Sequence, residues 1–86
     1  MDINELIAIV KKKIENKIDV ESIDIKDKSY LHKKHAGNQK GKYHLKITLE
    51  SIELKKMSLV DSNKKIYKIL EKELKQFIHS IQILIQ

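Results

Sequence analysis

Lys42-Tyr-His-Leu-Lys-Ile-Thr-Leu-Glu50 is the stretch that decides the fold. Tyr43, Leu45, Ile47 and Leu49 alternate with Lys42, His44, Lys46, Thr48 and Glu50, the period of two expected of a strand with one buried face. The same alternation places His44 on the side away from the core, as a solvated strand residue. Upstream, in Val20 to Asp27, Ile23 and Ile25 alternate with Ser22, Asp24 and Lys26, which predicts a second half-buried strand ended by Asp27 and Lys28. Between the two lies Ser29 to His44, which holds three of the four histidines and both glycines of the chain. Ala36-Gly37 and Lys40-Gly41 are its turn signals, and a long hairpin over this stretch makes the strands antiparallel.

On the N-terminal side, Ile3, Leu6, Ile7, Val10, Ile14 and Ile18 recur at three- and four-residue spacing, an amphipathic helix with Asp2 or Asn4 at its positive end. On the C-terminal side, Ser51 to Lys56 is a connection of mixed character. Ser58-Leu-Val-Asp61 fits a capping box, and Asp61-Ser62 offers a second cap. Ile66, Tyr67, Leu70, Leu74 and Phe77 then form a helical stripe, so this half carries a short helix and a long one. In the last segment His79 is in phase with Ile81, Ile83 and Ile85, which predicts a third strand whose inner row begins with a histidine. The order is α-β-β-α-α-β. It specifies an α+β fold in which helices cover one face of a three-stranded sheet and polar residues such as Lys42, His44 and Lys46 occupy the other.

The chain has 86 residues and no internal repeat, so a single domain over 1–86 with one core is expected. It has no cysteine, which removes disulfides, thiolate catalysis and any thiolate-ligated metal supplied by this chain alone. No apolar run is long enough to span a bilayer and no export signal is evident, so a cytoplasmic location is the simplest expectation. The net charge of +6 comes from lysine, which attracts polyanions without arginine's fork for reading guanine. Lys55, Lys56, Lys64 and Lys65 flank the turn before the long helix and are the candidate nucleic-acid contacts. The Gly-x-x-Gly turn and the exposed aromatics of RNA-binding domains are absent. Nothing pairs a nucleophile with a base or forms a phosphate loop, so the sequence points away from an enzyme.

Four stretches, in order and spacing, resemble the BolA family: Lys13-Ile-Glu-Asn-Lys17; Asp27-Lys-Ser-Tyr-Leu-His32 with Ala36-Gly37 after it; Tyr43-His-Leu-Lys-Ile47; and Leu70-Glu-Lys-Glu-Leu74 leading to Ile78-His79. The last two are similar to the family's His-Phe-x-Val strand and its Ala-Glu-Glu-Leu helix followed by Val-His-Ala-Leu. The resemblance implies a fold like the class II KH domain, with a mixed three-stranded sheet. It also implies a monothiol glutaredoxin partner sharing a 2Fe-2S cluster, with sulfur ligands from the glutaredoxin cysteine and glutathione. No cluster would be tightly bound by the chain alone, which is expected to be a monomer. Carried over by position, the ligands from this chain are His79 and His32, with His35 and His44 in reserve. A zinc site built from His32, His35 and His79 is a further arrangement permitted by ligand type.

This sequence departs from the family where Arg-His-Arg usually opens the long helix, having Ser62-Asn63-Lys64, and where a Phe-x-Gly turn is usual, having Leu54-Lys55-Lys56. The expected function is iron-sulfur cluster trafficking or iron regulation, through an adaptor that is not an enzyme. The alternative from another class is a KH-like DNA-binding transcriptional regulator. Salt-dependent, sequence-selective DNA binding unaffected by His79→Ala would distinguish it.

Overall fold

The computed structural model describes residues 1–29 and 42–86. Helix α1 (Ile3–Lys17) begins where Asp2 Oδ1 accepts a hydrogen bond from Glu5 N at 2.8 Å, satisfying one of the amides that every helix start leaves free. Strand β1 (Ser22–Asp27) pairs antiparallel with β2 (Tyr43–Glu50), and β3 (Ile78–Ile85) pairs parallel with β2 on its other side. The sheet order is β1-β2-β3, so the stretch with the cleanest alternation is the central strand. Parallel pairing of β2 with β3 needs a crossover, which is supplied by α2 (Ile52–Lys55), α3 (Leu59–Ile69) and α4 (Glu71–Gln76).

The expected α+β class and the mixed sheet are what the structure has, with two refinements in the helical half. Ser51 to Lys56 is not an irregular connection, because Ser51 caps a one-turn helix there: its Oγ accepts from Leu54 N at 3.2 Å. The long helix is two pieces that meet at Leu70, whose amide still bonds Ile66 O while its backbone leaves the helical region. Ser58 caps α3 as expected, accepting from Asp61 N at 3.0 Å. Ser62 is no second cap; it is buried within α3 and donates to Leu59 O at 2.9 Å.

The core lies between the helices and one face of the sheet. Leu6, Val10 and Ile14 of α1, Leu54 of α2, Ile66 of α3 and Leu70 pack with Leu45, Ile47, Leu49 and Ile78, each burial worth about 1.5–3 kcal/mol. Tyr67, assigned to the helical stripe by its spacing, is 43% exposed, because the apolar arc of α3 is centred on Ile66. On the opposite sheet face the register aligns Asp24 with Thr48 and Leu84, and Lys26 with Lys46 and Gln82.

Ser51 joins three elements, since its Oγ also donates to Asp19 O at 2.7 Å while Asp19 N donates to Glu53 Oε1 at 3.2 Å. Ser51 is fully buried, so Ser51→Ala removes a cap and leaves a carbonyl unpartnered. A loss of about 1–3 kcal/mol is expected, read as a lower urea midpoint with an unchanged slope.

Glu53 also pairs with Lys65 of α3 at 2.5 Å. That hydrogen bond, with the one from Asp19, holds the Glu53 carboxyl below the usual carboxylate range. A depressed carboxyl contributes stability above its unfolded-state pKa and loses it as pH falls through the folded one. Glu53→Gln should therefore lower the urea midpoint at neutral pH, with the gap from the native chain closing only below about pH 4.

Candidate functional site

The site is built where β3 enters the sheet. Tyr43 faces Ile78 in the register, but the next residue, His44, faces Ser80 rather than His79. His79 is thus the extra residue of a β-bulge, which changes which side of the sheet the following residues take. Ile78 enters the core at 1% exposed, and Ile81, Ile83 and Ile85 continue on the core side as partly buried residues. The expectation that a histidine begins the inner row is therefore corrected: Ile78 takes that place, and the bulge sends His79 to the opposite face.

There His79 meets His44. The two ring centroids are 4.8 Å apart with their planes tilted by 37°. His79 is exposed. His44 does lie on the face away from the core, as its place in the alternation requires, but it is not solvated. It is 6% exposed, with the His79 ring beside it. Its Nδ1 shares a hydrogen bond of 2.7 Å with Ser80 Oγ, which fixes the ring's orientation whichever partner donates.

The backbone at His44 is held as firmly. Its amide donates to Ser29 Oγ at 3.0 Å, and its carbonyl accepts from Lys28 N at 2.7 Å. Ser29 is set in turn by its amide donating to Asp27 Oδ1 at 2.9 Å. Tyr43 N donates to Phe77 O at 2.9 Å, tying β2 to the residue before β3. An open pocket of about 230 Å³ adjoins the pair, lined by Lys28, His44, Leu45, Lys46, Ser80, Ile81 and Gln82. The site presents one accessible imidazole, a second imidazole beside it with a fixed orientation, and two lysines, Lys28 and Lys46, among the residues lining the pocket.

Of the four candidate ligands, the structure brings His79 and His44 together. His32 and His35 lie outside the described residues. The segment that carries them starts after Ser29, which hydrogen-bonds His44, and ends before Lys42, two positions from the same residue. Among the described residues no group of three or more His, Cys, Asp or Glu side chains is placed to hold a metal ion. Ser29, Lys28 and Ser80 were not singled out by the sequence. The one signal available was Ile78, an aliphatic residue out of phase with Ile81 and Ile83, as a bulge between them requires.

The candidate nucleic-acid lysines differ in exposure. Lys55, Lys56 and Lys64 are exposed, whereas Lys65 is partly buried and paired with Glu53. No helix among the described residues is long and apolar enough to cross a membrane.

The chain matches the family described as BolA-like protein over residues 14–86. A curated relative, SufE-like protein 1, chloroplastic/mitochondrial, of Arabidopsis thaliana, is 29% identical over 79 residues. That match covers 86% of this chain but only 21% of the relative's length. Among solved structures, the BolA domain of SufE1 from Arabidopsis thaliana superposes with a TM-score of 0.79 at 26% identity, covering 100% of this chain and 93% of that one. BolA1 from Arabidopsis thaliana superposes with a TM-score of 0.76 at 22% identity, covering 91% of this chain and 86% of that one, a likeness of fold.

Proposed function

Starting from the fact that the chain belongs to the BolA-like protein family, we propose that it is a non-enzymatic adaptor in iron-sulfur cluster trafficking or iron regulation. It pairs with a monothiol glutaredoxin and contributes histidine ligands to a shared 2Fe-2S cluster. The observation that carries this reading is the bulge at the start of β3, which lifts His79 out of the core and stands it against the buried ring of His44.

The donor set fits a shared centre better than a resident one. Iron-sulfur clusters are ordinarily held by four thiolate-type ligands, and this chain has none. Its imidazoles can complete a coordination sphere that begins on a partner. Histidine ligation of a cluster raises its reduction potential and makes it responsive to imidazole protonation.

Within this chain the roles divide by exposure. His79 is the reachable ligand, and His32 or His35 completes the set from the adjoining segment. His44 backs the His79 ring and limits its rotation, because its own ring is anchored to Ser80.

The test is to mix the chain with a monothiol glutaredoxin, glutathione, iron and sulfide, and to compare visible absorption with the glutaredoxin homodimer. A new spectrum that changes in His79→Ala and in one of His32→Ala or His35→Ala supports the adaptor. A spectrum identical to the homodimer's, with the native chain present, sinks it.

A further inference from the structure

Between α1 and α3 lies an open cleft of about 540 Å³ lined by Lys13, Asn16, Lys17, Lys65, Lys68 and Ile69. We infer that this cleft binds a phosphorylated small molecule of nucleotide size. The glutaredoxin reading assigns nothing to it, and it shares no residue with the histidine pair.

Charge is the first observation. Lys13 and Lys17 stand four residues apart on α1, and Lys65 and Lys68 three apart on α3, so each helix presents two like charges on one side. The protein neutralises one of each pair internally: Lys13 Nζ is 2.6 Å from Glu73 Oε2, and Lys65 Nζ is 2.5 Å from Glu53 Oε2. Glu73 is 4% exposed, so Lys13 is tethered to a buried anchor. Lys17 and Lys68 have no carboxylate within ion-pair distance among the described residues. Two lysines without an ion-pair partner among the described residues thus line one cleft beside two that are held in place. Repulsion of this kind is relieved by a bound polyanion.

Shape is the second. The cleft falls within the range of about 300–1,000 Å³ that organic ligands occupy, and it is far larger than one phosphate needs. Ile69 and the methylene stems of the lysines supply apolar surface to the lining. An aromatic ring held against that surface would be open to approach by lysine ammonium groups. Phosphate and flat ring together describe a nucleotide better than either inorganic phosphate or an uncharged base.

The probe is ADP, titrated into the full chain and followed by amide shifts in two-dimensional NMR. Saturable movement centred on residues 13–17 and 65–69 is expected, with adenosine and pyrophosphate each binding more weakly than ADP. The Lys17→Gln/Lys68→Gln double variant should weaken ADP by about tenfold or more, and Lys11→Gln/Lys72→Gln, which removes the same charge elsewhere, by about twofold or less. All four positions are exposed, and an unchanged thermal midpoint shows that each variant folds. The inference is overturned by shifts that fail to saturate at about 10 mM ADP, by equal losses in the two double variants, or by movement centred on Lys55, Lys56 and Lys64, since each means diffuse surface charge.

Discussion

His79→Ala is expected to abolish the spectral difference between the glutaredoxin mixture containing this chain and the glutaredoxin homodimer, without unfolding the protein. The side chain is exposed and makes a ring contact with His44 but no side-chain hydrogen bond among those described, so truncation should change stability by about 0.5 kcal/mol or less. Loss of the spectrum with an unchanged urea midpoint would then place the effect on ligation.

His44→Ala should behave in the opposite way. It empties a buried position and leaves Ser80 Oγ without its 2.7 Å partner, at a cost of about 1–3 kcal/mol. Any spectrum that survives should be weaker and broader, because the ring that limits His79 is gone. If His79→Ala kept the native spectrum while His44→Ala lost it, the ligand assignment would be reversed.

Ile47→Ala should be the most damaging single truncation in the sheet. Ile47 is fully buried on the central strand and lies in register with Ile25 on one side and Ile83 on the other. Removing its side chain leaves a cavity bounded by both neighbouring strands and the helices, at a cost of about 2–5 kcal/mol. A domain of this size has about 4–13 kcal/mol in total, so the thermal midpoint should fall by at least about 10 °C. Thr48→Ala, one position along on the opposite face, is the comparison and should cost about 0.5 kcal/mol or less. Equal losses at the two positions would mean that the sheet buries both faces, contrary to the observed layering.

Much of the fold was legible because period and burial are linked one residue at a time. The alternation in 42–50 identified the central strand, and the spacing of Leu6, Val10 and Ile14 identified the buried side of α1, since each pattern is satisfied by only one local geometry. Ser58 could be read as a cap because a cap is a local event within four residues. Ser51 was missed, although it too is a local cap, because its hydroxyl is committed to Asp19, 32 positions away, a partner in the connection between α1 and β1 that only the tertiary fold brings to the start of α2.

The candidate site divides in the same way. The sequence by itself determined which residues could act: four imidazoles, no thiol, and the strand on which His44 sits. Only the tertiary structure decided where His79 points, because the parity of β3 depends on how it pairs with β2, and a single unpaired residue there reverses the face of what precedes it. Periodicity is counted along one chain, whereas a bulge exists only between two strands. That is why the out-of-phase Ile78 could hint at the change of face, and only the pairing of Tyr43 with Ile78 and of His44 with Ser80 could fix it.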